Sequence, residues 1–83
     1  MESSCWRKID ITRNCYRFYV IRLQTDLFSP WRVECEWGRL GGGNRPQRKV
    51  RCFDNLGDAR LYRDQEENLR RRRGYHPQME AAS

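Results

Sequence analysis

Apolar and polar residues alternate along several stretches of the chain, which is the pattern of half-buried β-strands. The first stretch, Lys8 to Thr12, places Ile9 and Ile11 on one side and polar side chains on the other. A later stretch alternates strictly, and the side that we expect to face the core carries Trp31, Val33, Cys35 and Trp37. We therefore predict one β-strand over Lys8 to Thr12 and another over Trp31 to Trp37.

The segment from Tyr16 to Gln24 gives the strongest strand signal, since it is rich in aromatic and β-branched residues. Both of its faces are apolar: one carries Tyr16, Phe18 and Val20, and the other carries Tyr19, Ile21 and Leu23. Strands of this kind lie inside a sheet that is covered on both sides. We therefore expect this strand near the middle of the sheet, with a covering element on each side.

A fourth strand is predicted from Gln47 to Phe53, after the turn-forming segment Gly41 to Pro46. Its alternation gives two sets, Val50 and Cys52 pointing to the core, and Lys49 and Arg51 pointing to solvent. Together with the preceding strand it would form a hairpin with a flexible, basic tip.

The period changes to that of a helix after Asn55, a residue that can cap the first helical turn. Ala59, Tyr62 and Leu69 then fall on one face of a helix that runs to about Arg73. This face can cover the sheet.

The helix is expected to stop near Gly74, with Pro77 as a second stop signal. We assign residues 1–75 to a single domain and residues 76–83, which include His76, to a flexible C-terminal tail. The predicted fold class is α+β, a small antiparallel sheet of about four strands packed by one C-terminal helix.

Length and composition restrict the classes of function. A chain of 83 residues can build one modest core, and it leaves no room for a separate catalytic domain. No apolar run approaches the roughly 20 residues that cross a bilayer, and Met1 to Cys5 lack the features of a signal peptide. We expect a soluble, cytoplasmic protein.

Charge favours a polyanionic partner. The chain has 17 lysines and arginines against 11 acidic residues, for a net charge of +6. Every basic residue other than Lys8 and Lys49 is arginine, whose planar guanidinium suits phosphate better than an ammonium group does. The composition therefore favours nucleic acid.

The residue types that build metal and catalytic sites are sparse. The four cysteines, Cys5, Cys15, Cys35 and Cys52, form no C-x-x-C pair, and the only histidine is His76. Four cysteines can form two disulfides in three ways, but free thiols are the default expectation. A thiol nucleophile at Cys15 is conceivable, although packing cysteines are commoner. We predict no metal, no cofactor and no catalytic activity.

The densest chemical signal runs from Trp37 to Phe53, a stretch without an acidic residue that carries Arg39, Arg45, Arg48, Lys49 and Arg51. Glycines let backbone N–H groups approach a phosphate, and arginines supply charge-assisted, bidentate hydrogen bonds. A solvated charged face is the alternative interpretation. The ending G-K-[ST] of a nucleotide-binding P-loop is missing, so the stretch does not indicate an NTPase.

A second basic run, Arg70 to Arg73, has a local explanation. Glu66 and Glu67 lie four residues before Arg70 and Arg71, and cations at a helix C-terminus complement the helix dipole. Arg72 and Arg73 remain candidates for peripheral phosphate contacts.

The stretch from Arg7 to Tyr75 resembles the WGR domain family, a module of DNA-break-sensing poly(ADP-ribose) polymerases and of short stand-alone bacterial proteins. The bacterial form is the more similar. The residues that carry the resemblance, in chain order, are Asn14, Arg17-Phe18-Tyr19, Asp26-Leu27-Phe28, Trp31, Glu36-Trp37-Gly38-Arg39-Leu40-Gly41 and Arg72-Arg73-Gly74-Tyr75.

The resemblance implies an antiparallel sheet with a helix against it, and contact with the end of broken DNA. It implies that Trp37 packs on the sugar near a 5′ terminus and that Arg39 holds the phosphate end. In the polymerases the arginine also relays binding to a catalytic part, which this stretch does not contain. The sequence departs from the family at the hairpin, where Leu40 and three consecutive glycines replace the commoner isoleucine-glycine and short polar turn.

Two functions follow from the sequence. The first is a DNA-binding module, preferring ends or nicks, in which Trp37, Gly38, Arg39, Arg45, Arg48, Lys49 and Arg51 form the contact surface. Five phosphate contacts would give a slope of roughly −4 for log K against log salt on duplex DNA.

The second function is that of a protein-interaction or regulatory module, in which Trp6, Leu27 and Phe28 are exposed apolar groups that meet a partner. Replacing Arg48 and Lys49 by glutamate would separate the two hypotheses.

Overall fold

A computed structural model of the chain describes residues 2–25 and 30–78. Five strands and one α-helix follow in the order β1 (Glu2–Asp10), β2 (Cys15–Gln24), β3 (Trp31–Arg39), β4 (Gln47–Phe53), α1 (Leu56–Arg72) and β5 (His76–Gln78). A short 3-10 turn, Ile11–Arg13, joins β1 to β2. No helix in these ranges is both long enough and apolar enough to span a bilayer.

The strands form one antiparallel sheet in the order β4-β3-β2-β1-β5. Helix α1 packs on one face of this sheet, which confirms the predicted α+β class. β2 lies at the centre, as its two apolar faces predicted, and the predicted bounds of β4 agree with the structure residue for residue.

The fifth strand results from the way the helix ends. Gly74 adopts a φ of 88°, a left-handed conformation that glycine reaches without steric cost. The N–H of Tyr75 then donates to the carbonyl of Arg70, and the N–H of Gly74 to that of Arg71, which together make a Schellman cap. The chain is turned back to the sheet, where His76–Gln78 pairs with β1. The sequence had assigned His76 to the tail, and residues 79–83 lie outside the described ones.

The prediction for the first strand was wrong in its position and in its buried side. β1 begins at Glu2 and ends at Asp10, and Ile11 belongs to the 3-10 turn. Ile9 and Ile11 are 53% and 77% exposed, whereas Trp6 is only 2% exposed. Trp6 pairs directly with Tyr19 of β2, so its side chain leaves the sheet on the face that the helix covers.

The core lies between α1 and the face of the sheet formed mainly by β1, β2 and β3. Its buried apolar members are Trp6, Tyr19, Ile21, Leu23, Val33, Cys35, Ala59 and Tyr75. Asn55 caps the helix as predicted, because its Oδ1 accepts the backbone N–H of Asp58 at 2.8 Å. Ala59 is buried, with Tyr62 and Leu69 half-buried along the same side of the helix.

Within the described ranges, only one face of β2 is covered, which corrects the expectation of cover on both sides. The other face carries Glu34, which is 6% exposed although its alternation pointed it outward. Four side chains surround its carboxylate, namely Arg22, Gln24, Arg32 and Arg48. Charged and amide groups therefore bury this carboxylate on an open sheet face, where no helix is needed.

Comparing alanine substitutions at a buried and an exposed isoleucine tests the core described above. Ile21→Ala removes a fully buried side chain of β2 and should lower the free energy of unfolding by about 2–5 kcal/mol. Ile11→Ala makes the same chemical change at an exposed position and should alter it by less than about 0.5 kcal/mol. Urea denaturation of the two variants measures the difference, and comparable losses would contradict the core described above.

Candidate nucleic-acid interface

A groove opens where β2 and β3 end and the loop to β4 begins. It is lined by Arg17, Phe18, Trp37, Gly38, Arg39, Leu40, Gly41, Gly42, Gly43, Asn44, Arg45, Pro46, Gln47 and Tyr75. Three of these residues are arginines, and none is acidic. The groove therefore presents positive charge next to glycine backbone and aromatic side chains.

A tight turn shapes the loop side of the groove. The N–H of Gly42 donates to the carbonyl of Arg39 at 3.2 Å, and Gly41 between them has a φ of 68°. This left-handed conformation at the third position of a β-turn is one that glycine readily adopts. The carbonyl of Tyr16 accepts the N–H of Leu40 at 2.8 Å, which fixes the start of the turn to β2.

Gly38 lets the sheet and the loop approach each other closely. A Cβ at this position would lie 3.1 Å from the Cε1 atom of Phe18 and 3.6 Å from the Cα atom of Pro46. Any larger residue would have to displace the Phe18 ring. Glycine therefore allows this close approach on the floor of the groove without a shift of the ring.

Trp37 joins the groove to the core. Its ring stacks on that of Tyr19, with centroids 5.5 Å apart and planes inclined by 13°. Its Nε1 donates to the Oε1 atom of Gln47 at 2.9 Å, which ties β3 to the first residue of β4. The indole is half-buried, so it packs on the core and still contributes to the groove lining.

Arg39 is exposed but held in place by Asn14. Its Nη1 donates to the backbone carbonyl of Asn14 at 3.0 Å, and its Nη2 donates to the Oδ1 atom of the same residue at 3.2 Å. Asn14 can present both oxygens because it ends the 3-10 turn in a left-handed conformation, with a φ of 51°. Two of the five guanidinium N–H groups are used in this way, which leaves three for a ligand. The guanidinium carbon also lies 5.5 Å from the centroid of the Tyr16 ring.

Arg17 and Arg45 complete the positive lining. Both are exposed, and within residues 2–25 and 30–78 neither makes an ion pair or a side-chain hydrogen bond. The sequence had predicted Arg45 as a contact residue but had counted Arg17 only among the residues of the family resemblance, because Arg17 sits in an apolar strand far along the chain from the hairpin. Only the strand register, which places Arg17 opposite Arg39, shows that it belongs to this groove.

The family model of the WGR domain matches residues 3–82, nearly the whole chain. The chain belongs to the WGR domain family. The triplet Trp37-Gly38-Arg39, after which such a domain is named, lines the groove together with Tyr75 near the end of the match. No curated protein and no solved structure gives a significant match to the chain. The family suggests a nucleic-acid-binding module.

Three of the predicted contact residues lie outside the groove of this WGR domain. Lys49 is opposite Cys35 and Arg51 opposite Val33, so both point to the helix side of the sheet. Val50 and Cys52 take the exposed side, which reverses the predicted orientation of β4. Arg48 lies on the other face, where it forms an ion pair with Glu34 at 3.4 Å.

Aromatic rings explain how cations can take the inner side of β4. The guanidinium carbon of Arg51 lies 5.1 Å from the centroid of the Tyr62 ring, and the Nζ of Lys49 lies 5.9 Å from that of Trp37. Long basic side chains can cover apolar surface with their stems and keep the charged end accessible. An edge strand therefore tolerates this orientation.

Glu66 is the buried carboxylate that holds the helix, the central strand and the edge strand together. It accepts hydrogen bonds from the Nζ of Lys49 at 2.6 Å, the hydroxyl of Tyr62 at 3.0 Å and the hydroxyl of Tyr19 at 3.3 Å. Burial alone would raise the pKa of Glu66, but the bonds from Lys49 and Tyr62 outweigh it and lower this pKa. Burial would lower the pKa of Lys49, and the bond to Glu66 raises it instead. The pair is therefore ionised at neutral pH.

The charge of Arg70 helps to lower the pKa of Glu66, in line with the predicted pairing, and the first two helix-end arginines also pack on aromatic rings. Arg70 is buried, with its guanidinium carbon 4.0 Å from the centroid of the Tyr19 ring and 5.3 Å from that of Tyr75. The guanidinium carbon of Arg71 lies 5.0 Å from the centroid of the Trp6 ring. Arg72 and Arg73 are exposed. The first two arginines thus support the fold.

The cysteines and the other side chains that could bind a metal or act as nucleophiles do not form a site in the described part of the chain. The four cysteines are free, with Cys35 buried and Cys15 half-buried. Burial raises the pKa of the Cys35 thiol, which disfavours the reactive thiolate. Within residues 2–25 and 30–78, no group of three or more histidine, cysteine or acidic side chains could hold a metal ion.

The hydrophobic surface expected for a protein partner is reduced. Trp6 was predicted to be exposed, and it is buried in the core. Leu27 and Phe28 lie outside the described residues.

The Glu66 cluster predicts how stability changes with pH. The lowered pKa of Glu66 means that its contribution is complete above its ordinary pKa near 4.5 and is lost as the pH falls through the lowered value. Glu66→Gln should therefore reduce the free energy of unfolding at pH 7 by about 1–3 kcal/mol and should differ less from the parent near pH 3. Urea denaturation at the two pH values measures both effects.

Glu67→Gln, one residue further along the same helix but outside this cluster, is the matched control. It should change the free energy of unfolding little at either pH. If Glu66→Gln leaves the free energy of unfolding at pH 7 unchanged, or lowers it equally at both pH values, the carboxylate is not a stabilising member of the cluster.

Proposed function

We propose that this WGR domain binds DNA through its phosphate backbone, that the groove beside the β3–β4 hairpin is the contact surface, and that the domain acts without catalysis. The observation that carries the proposal is the lining of the groove, in which Arg17, Arg39 and Arg45 come together and none of the described lining residues is acidic. Elsewhere on the sheet, Arg22, Arg32, Arg48 and Lys49 are engaged by Glu34 or Glu66. The groove therefore gathers three cations that form no ion pair in the described part of the chain.

Phosphate is the ligand chemistry that this lining fits best. The three N–H groups that Arg39 has left can form charge-assisted hydrogen bonds with phosphate oxygens. Because Asn14 already holds the guanidinium, less side-chain entropy is lost on binding. The glycine turn Gly41–Gly43 also permits close approach of a sugar-phosphate backbone.

The composition of the lining favours binding over catalysis. The residues that form the groove include no histidine, cysteine, serine or carboxylate. Those are the side chains that supply general bases and nucleophiles. A groove of arginine, glycine and aromatic residues can hold a polyanion.

The proposal includes a preference for DNA ends or nicks, with Trp37 against a terminal sugar and Arg39 on the terminal phosphate. The family resemblance supports these two roles. Trp37 is also suited to its role geometrically, since it is anchored by the stack on Tyr19 and still lines the groove. An aromatic side chain held in this way is a rigid platform for a sugar or base.

The first test is the salt dependence of DNA binding. Three phosphate contacts by the groove arginines predict a slope of about −3 for log K against log salt on a duplex. The double variant Arg39→Ala, Arg45→Gln should bind at least about tenfold more weakly at low salt, with a slope shallower by about 2. Fluorescence anisotropy titrations over a range of salt concentrations measure both quantities.

The matched control changes Arg60 and Arg63 to glutamine. Both side chains bind Glu2 at the opposite end of β1, so this variant loses the same charge far from the groove. Changing Arg48 and Lys49 is less informative, because it would break the ion pairs to Glu34 and Glu66. A parent protein without measurable affinity at low salt would refute the proposed function.

The preference for ends has its own test. Duplexes with 5′-phosphorylated ends, unphosphorylated ends and closed hairpin ends are titrated in parallel. We expect the order of affinity to follow that order, because a 5′-terminal phosphate offers Arg39 more negative charge than an internal phosphate, and a closed hairpin offers Trp37 no terminal sugar. Arg39→Ala should remove the difference between the first two ligands. Equal affinity of the parent protein for all three would leave DNA binding but exclude end recognition.

A further inference from the structure

Three cations lie side by side on neighbouring strands at the groove end of the sheet. In the strand register Lys8 of β1 is opposite Arg17 of β2, and Arg17 is opposite Arg39 of β3. Directly opposed residues leave a sheet on the same face with their Cβ atoms about 5 Å apart. Lys8, Arg17 and Arg39 therefore form a continuous row, named here the cation row.

Stability gives no reason for this arrangement. Like charges directly opposite each other in a sheet destabilise the pairing. Neither Lys8 nor Arg17 makes an ion pair or a side-chain hydrogen bond in the described part of the chain. Where the same sheet places arginines around Glu34, their charge is compensated. No member of the cation row forms an ion pair within residues 2–25 and 30–78.

The end of the helix increases the positive charge. The side chain of Lys8 reaches Gly74, with its Cε atom 3.5 Å from where a Cβ of that glycine would lie. A helix C-terminus carries only about half a negative charge. Arg70, Arg71 and Arg72 in the last turn already exceed that charge, so the helix end does not require Lys8 and Arg17 as well.

We propose that the cation row binds consecutive phosphates of one DNA strand, which runs across the sheet from the hairpin toward the end of the helix. Neighbouring strands are about 4.8 Å apart, so the row spans about 10 Å. Lysine and arginine carry their charges at the ends of long, flexible side chains, so the three cations can spread to reach consecutive phosphates of one strand. The inference rests on the proposed DNA binding, and it assigns a contact to Lys8 and a direction to the bound strand.

The first experiment removes the two cations that the hairpin does not supply. In the double variant Lys8→Gln, Arg17→Gln, the slope of log K against log salt on a duplex should become shallower by about 1.8, and in Lys8→Gln alone by about 0.9. As a consequence, the affinity deficit of the double variant should shrink by about tenfold between roughly 50 and 200 mM salt. Arg60→Gln, Arg63→Gln is again the charge-matched control and should keep the parent slope.

The second experiment locates the contacts on the DNA. Phosphates of one strand are replaced singly by neutral methylphosphonates, and the loss of affinity is mapped for the parent protein and for Lys8→Gln. Three consecutive positions near the bound end should be sensitive in the parent. The position furthest from the contact of Arg39 should become insensitive in Lys8→Gln, because its partner has been removed.

The outcomes separate the two proposals. No affinity of the parent protein for DNA refutes the proposed function and the cation row together. Binding by the parent with an unchanged slope in the double variant, or with an equal change in the control, refutes the cation row alone. A loss of thermal stability in the double variant without a change of slope would assign Lys8 and Arg17 to the fold. Lys8→Arg, Arg17→Lys keeps both charges, and the proposal requires that it retain the parent slope.

Discussion

The structure depends most on the contacts of Tyr19, a buried residue of the central strand. Its ring stacks on Trp37, meets Tyr75 edge to face and lies against the guanidinium of Arg70, while its hydroxyl donates to Glu66. Burial raises the pKa of this hydroxyl far above its ordinary value, so it stays protonated as a donor. One side chain thereby fixes the hairpin, the helix and the segment after the helix relative to each other.

The position of the groove follows from that core. Trp37 and Tyr75 contact Tyr19 from two sides and continue outward to line the groove, so its aromatic wall is an extension of the interior. Its arginines are anchored less deeply: Arg39 is held by Asn14, whereas Arg17 and Arg45 are exposed. A rigid floor with adaptable cations above it suits a ligand whose charge is regular and whose local shape varies, as that of a nucleic-acid backbone does.

Much of the architecture could be predicted because it is determined by near neighbours in the chain. Alternation identified β3 and β4, aromatic and β-branched content identified the central β2, and Asn55 marked the start of the helix. Predictions from the local alternation of residues failed where strand pairing or aromatic contacts favoured a different orientation. Val50 and Cys52 look like the buried side of β4, but pairing with β3 turns Lys49 and Arg51 inward, where the rings of Tyr62 and Trp37 accept their charges. Trp6 was missed because no alternation marks the strand around it.

The sequence by itself determined the order of the first four strands and the helix, the α+β class and the basic hairpin, and through its resemblance it indicated the WGR family. These features depend on residue spacing and on short-range preferences for strand, turn and helix. Only the tertiary structure decided which cations are free. Strand register brought Arg17 and Lys8 beside Arg39, and it gave Lys49 and Arg48 to buried carboxylates. Electrostatic pairing acts over a few ångströms in space, between residues that lie far apart along the chain, so residue order alone could not assign it.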